Sequence, residues 1–96
     1  MKTYTASHLS EGNRVIASKI IIDEFGVTFK APKLFAGNEK TIPFTRISSV
    51  NIICPFVGFS TIILETTDEG KIDAHGFTES EVKEMKEIIL SKIKMK

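Results

Sequence analysis

Phe77-Thr78-Glu79-Ser80-Glu81-Val82-Lys83-Glu84-Met85-Lys86-Glu87-Ile88-Ile89-Leu90-Ser91-Lys92-Ile93-Lys94 changes period from everything before it. Thr78 and Glu81 have the spacing of a capping box, in which the threonine hydroxyl accepts from a first-turn amide and the glutamate reaches back to the N–H of the cap. Phe77 and Val82 are placed on either side of that cap for a hydrophobic staple. Val82, Met85, Ile89 and Ile93 fall on one helical stripe, flanked by Ile88 and Leu90. Glu79, Glu81, Glu84 and Glu87 come early and Lys92, Lys94 and Lys96 late, an order that complements the helix dipole. A helix over 78–94 follows, about 25 Å long at 1.5 Å per residue. Its apolar stripe must be buried, and a sheet face is the only large partner the rest of the chain can offer.

The residues upstream read as strands. Val15 to Ile22 is rich in β-branched residues, Asp23, Glu24 and Gly26 follow as a turn, and Val27 and Phe29 alternate with Thr28 and Lys30. Two apolar runs around a short glycine-containing turn are a hairpin signal. Ala31 to Asn38 breaks the pattern with Pro32 and Gly37 and reads as a loop. Thr41-Ile42-Pro43-Phe44 alternates again, and Pro43, which cannot donate to a ladder, puts this strand at a sheet edge or Pro43 at a strand end. Ser49 to Ile53 is a further strand, interrupted by Cys54-Pro55-Phe56-Val57-Gly58. Phe59 to Thr66, a turn at Thr67-Asp68-Glu69-Gly70 and Lys71 to His75 complete the series. Such regular spacing favours an antiparallel meander. The fold class is therefore α+β: a strongly bent, mainly antiparallel sheet or partly open barrel of about six or seven strands, capped by one C-terminal helix.

With 96 residues, 42% of them hydrophobic, the chain reads as a single domain over 1–96 with one modest core. Thirteen Lys and Arg against twelve Asp and Glu give a formal charge of +1, without the basic excess of a nucleic-acid binder. The one cysteine forms no internal disulfide, no apolar run approaches the roughly 20 residues of a membrane span, and Met1 to Ser10 lacks a signal-like stretch. The expectation is a soluble, cytoplasmic domain.

Ile20-Ile21-Ile22-Asp23-Glu24-Phe25-Gly26-Val27 resembles the hairpin of bacterial pleckstrin-homology-like domains and their GRAM relatives, an apolar strand followed by an acidic turn, glycine and a second apolar strand. Lys40-Thr41-Ile42-Pro43-Phe44-Thr45-Arg46-Ile47-Ser48-Ser49-Val50 is similar to their Ile-Pro-aromatic stretch, and Ala74-His75-Gly76-Phe77 to their last strand-to-helix junction. The resemblance covers about residues 14 to 94. It implies a non-enzymatic adaptor that binds lipid headgroups or peptides or oligomerises. Headgroup binding in such domains uses cations of the first inter-strand loop, here Leu9-Ser10-Glu11-Gly12-Asn13-Arg14, with Lys19 on the strand that follows. Arg14 and Lys19 are thus the candidate headgroup residues, one fork and one point charge where several converging cations are needed.

No catalytic, metal or cofactor site is expected. The only thiol, Cys54, with His75 or His8 could in principle be a nucleophile and its base, but neither has a marked orienting group. Cys54 between Ile53 and Pro55 reads as a small hydrophobe. Neither Cys-x-x-Cys nor His-x-x-x-His occurs, and Asp68, Glu69 and Asp73 do not follow a calcium-loop spacing. Two apolar segments fall in predicted loops: Leu34-Phe35, after Lys33, and Pro55-Phe56-Val57. Either they fold back and plug an open end of the sheet, or they form an exposed contact patch. On the second reading Leu34, Phe35, Pro55, Phe56 and Val57 serve self-association or a protein partner, with unpaired strand edges other than that of Thr41–Phe44 as further docking sites. A peripheral membrane module, with the same loops as anchors and the helix lysines as electrostatic support, is the alternative.

Overall fold

The computed structural model describes residues 1–6, 19–31, 38–67 and 70–94. Arg14, Leu34 and Phe35 lie outside the described residues, as do His8, Asp68, Glu69, all of the 9–14 loop, most of the 31–38 loop and the first half of the 15–22 strand. The described chain runs β1 (Lys2–Thr5), β2 (Lys19–Ile22), β3 (Gly26–Ala31), β4 (Asn38–Pro43), a 3-10 turn at Phe44–Arg46, β5 (Ile47–Ile53), β6 (Ser60–Thr66), β7 (Lys71–Phe77) and α1 (Glu79–Lys94). All neighbouring strands pair antiparallel, in one sheet of order β1-β2-β3-β4 and a second of order β5-β6-β7.

Instead of one bent sheet there are two. The break follows from Pro43, the last residue of β4, after which Phe44–Arg46 leave the ladder for a single 3-10 turn. That corner is pinned from both sheets: the Phe44 amide donates to the Phe25 carbonyl at 3.2 Å, and the Thr67 amide to the Arg46 carbonyl at 3.0 Å. Phe44 therefore ends up as a buried corner residue rather than a strand residue.

One core joins the layers. Ile20, Ile22, Val27 and Ile42 come from the larger sheet, Val50, Ile62, Leu64, Ile72 and Ala74 from the smaller, and Val82, Met85 and Ile89 from the helix. On β6 the alternation is regular: Ser60, Ile62 and Leu64 point in, while Thr61, Ile63 and Glu65 point away. The helix packs on β5, β6 and the 3-10 corner. It is also tied to β1, where the Tyr4 hydroxyl donates to Glu84 Oε1 at 2.6 Å and the Lys2 ammonium lies 3.2 Å from the same oxygen. Burial pushes the Tyr4 phenol up, reinforced by the adjacent carboxylate, and the two donors hold Glu84 below the usual carboxylate range.

The helix starts as its sequence predicts. The Thr78 amide donates to Glu81 Oε1 at 2.9 Å, and the Glu81 amide to Thr78 Oγ1 at 3.2 Å. Thr78→Ala removes that acceptor and is expected to cost about 1 kcal/mol. In a thermal melt of a domain this size the midpoint should fall by about 4–8 °C.

Candidate functional site

β5 and β6 are joined by a hairpin tip, Cys54 to Phe59, and its first half is apolar. Phe56 is 103% exposed and Val57 80%, while Ile53 at the end of β5 is 54% exposed. Pro55 is exposed beside them. These side chains do not fold back to plug the sheet: the reading of the tip as core is overturned, and Pro55, Phe56 and Val57 stand in solvent together. The tip is shaped by its own backbone chemistry. Pro55 limits one arm through its fixed φ, and Gly58 takes a φ of +106° that an L side chain adopts only with strain.

The base of the tip is held by neighbours from three elements. Ile53 pairs with Thr61, and Thr61 with His75, so these three form a row across the outer face of the smaller sheet. Thr61 Oγ1 and His75 Nδ1 share a hydrogen bond of 2.7 Å. The Phe59 ring meets the His75 imidazole edge-on, with centroids 6.4 Å apart and planes at 83°, a geometry that favours such ring pairs. Ser60 pairs with Phe77, which brings the start of α1 to the same end of the sheet. On the first turns of α1, Lys83 lies 2.7 Å from Glu79.

Cys54 is half-buried and packs on the core. His75 faces outward to Thr61 and Phe59, so the two are not assembled into a nucleophile–base pair. Lys19 is exposed at the start of β2, facing Lys30 and Thr5 in the ladder.

A second exposed apolar spot was not evident from sequence. Phe25, in the β2–β3 turn, is 63% exposed, and Met1 is 92% exposed. With Asp23 and Glu24 they line a shallow surface hollow. The turn beneath it is ordered by Asp23, whose Oδ1 accepts from the Phe25 and Gly26 amides at 2.8 and 3.0 Å. These amide hydrogen bonds hold the Asp23 carboxyl below the usual carboxylate range. A phenylalanine between Glu24 and Gly26 in a tight turn was the available signal, since it has no strand face on which to be buried.

Among the described residues no helix is long and apolar enough to cross a membrane. No protein-family model matches the chain, and no curated protein matches it.

Proposed function

We propose that this chain is a non-enzymatic binding domain of pleckstrin-homology-like architecture that uses the Phe56 tip as a protein-contact site, for a partner or for assembly with itself. The architectural part is supported by the four- and three-stranded antiparallel sheets closed by one C-terminal helix, together with the sequence resemblance. The observation that carries the function is the full exposure of Phe56, with Val57 and Ile53 beside it, on a tip whose base is anchored. A protruding aromatic with aliphatic neighbours is the composition of an interface core rather than of an ordinary turn.

Strand edges are weaker contacts here. β5 carries an extra residue at Ser48 and β7 one at Gly76, both β-bulges on edges of the smaller sheet. β1 has four residues, and β4 ends in Pro43. Each device blunts edge pairing.

The membrane alternative has weaker electrostatic support. The helix begins beside the tip, and Lys92 and Lys94 sit in its last turn, about 20 Å away at 1.5 Å per residue. Those lysines lie further from the tip than the screening length of about 10 Å at 0.1 M salt, and Lys83, nearer the helix start, is paired with Glu79 at 2.7 Å.

Phe56→Asp tests the site. Its side chain is in water, so stability should stay within about 0.5 kcal/mol of wild type. Association, read as concentration-dependent mass by light scattering or as retention of a bound partner, should be lost. Unchanged association in a folded Phe56→Asp chain would rule the tip out.

A further inference from the structure

The larger sheet ends on β1, a four-residue strand in which Tyr4 alone is buried. We propose that β1 is a detachable strap. Latched by Glu84 of α1, it covers the edge of β2, and it opens by itself while the rest of the domain stays folded. This inference is independent of the Phe56 tip.

β1 is held along two lines. Lys2 to Thr5 pair antiparallel with Ile22 to Lys19. Toward the helix, two of its side chains converge on one atom: the Tyr4 hydroxyl donates to Glu84 Oε1 at 2.6 Å, and the Lys2 ammonium lies 3.2 Å from the same oxygen. That ammonium also sits 5.8 Å from the centre of the Tyr4 ring. Lys2 and Glu84 are half-exposed, so water competes directly for the latch. The strap's share of the core is Tyr4, with Ala6 just beyond it. When it leaves, β2 keeps its ladder with β3, β3 keeps β4, and the helix keeps its packing on the smaller sheet. An edge element held by so few buried groups opens at a lower free energy than the whole domain.

What the strap covers explains why it is there. The other strands that end a sheet carry their own devices against pairing: β5 and β7 are bulged, and β4 ends in Pro43. β2 carries neither. Its register runs without a shift against both neighbours, and its sequence is Lys19-Ile20-Ile21-Ile22. A regular edge of β-branched apolar residues is a template for adding strands of other chains. With β1 in place, the sheet instead ends on Lys2-Thr3-Tyr4-Thr5, whose three other side chains are exposed and polar. A short edge strand carrying a lysine discourages pairing. Glu84 therefore acts at a distance from β2: by holding Tyr4 and Lys2, it keeps the isoleucine strand in the sheet interior.

Amide hydrogen exchange of the full chain under native conditions tests the strap, with two variants that weaken the fold in different places. Glu84→Ala removes the acceptor of both latch contacts. Ile62→Val trims a fully buried side chain of the smaller sheet, which stays packed when the strap opens. Glu84→Ala should speed exchange of the β1 amides, and of the β2 amides that donate to β1, by about tenfold, as expected for losing contacts to a charged group. Ile62→Val should speed the slowest amides of β5 and β6 by roughly two- to tenfold and leave the β1 and β2 amides at their wild-type rates. If Ile62→Val speeds both sets equally, β1 leaves only with the whole domain and the strap is overturned. If Glu84→Ala leaves the β1 amides unchanged, the latch is overturned. The guarding role has its own readout. In light scattering on warming, Glu84→Ala should aggregate faster than an Ile62→Val chain of equal or lower melting midpoint, because it alone raises the population with β2 uncovered. Equal or slower aggregation of Glu84→Ala overturns that role.

Discussion

Phe77→Ala is expected to remove about 3–5 kcal/mol of folding stability, the range for deleting a buried ring and leaving its cavity. Phe77 is the largest fully buried side chain among the described residues. It is the last residue of β7, pairs with Ser60 and directly precedes the helix cap, so sheet, helix start and tip base all lean on one ring. Small domains hold only about 5–15 kcal/mol in total, so the variant should be partly unfolded on modest warming. Phe77→Leu, which keeps much of the volume, should recover a large part of the loss. Chemical denaturation with intrinsic fluorescence or circular dichroism measures both; a Phe77→Ala loss under about 1 kcal/mol would show that the site collapses around the deletion.

Gly26→Ala is expected to cost about 3 kcal/mol or more, at or beyond the usual upper range for overpacking. Gly26 opens β3 opposite Pro43 of β4. A Cβ there would lie 2.7 Å from Pro43 Cα and 2.8 Å from the Ile42 carbonyl carbon, with the Ile42 oxygen closer still. All three are backbone atoms of a paired strand, which cannot swing aside as the end of a side chain can. The demand at Gly26 is for space: its φ is not in the left-handed region. Relief would have to come from opening the β3–β4 ladder at the corner where Phe44 binds Phe25, so the melting midpoint should fall by more than about 10 °C. A midpoint within 2–3 °C of wild type, on a scale where 1 kcal/mol is about 4–8 °C, would contradict this packing.

The same two positions mark what sequence could and could not disclose. The helix was legible because its signals are local: a capping box, a staple and a 3.6-residue apolar period all lie within 77–94, and the helix runs from Glu79 to Lys94. β1 was not legible. Lys2-Thr3-Tyr4-Thr5 has one large apolar residue and no alternation to detect, and it is a strand because β2 pairs with it and Glu84 binds its tyrosine and lysine. The 3-10 corner was hidden for a related reason. Pro43 marks a strand end or sheet edge in the sequence, and β4 both ends there and lies at the edge, but the 3-10 turn itself, pinned by hydrogen bonds to Phe25 and Thr67, has no local signal. At the site, the apolar character of Pro55, Phe56 and Val57 was plain in the sequence, but their exposure was not. Whether a loop folds inward depends on whether the core is already full, and here Phe77, Ile62 and Val82 fill it. Phe25 reads as part of a turn, and the sequence carries no sign of its closeness to Met1.

What remains is the choice between protein contact and a bilayer surface, since an exposed phenylalanine serves both. Co-sedimentation with neutral and anionic vesicles at low and high salt, with light scattering on the unbound fraction, separates them most directly. A tip that contacts protein predicts no vesicle binding at either salt concentration, with an unbound mass that rises with concentration where the partner is a second copy and stays monomeric where it is a different protein. Binding to anionic vesicles that weakens with added salt and disappears in Phe56→Asp would contradict it, and would assign the tip to the membrane.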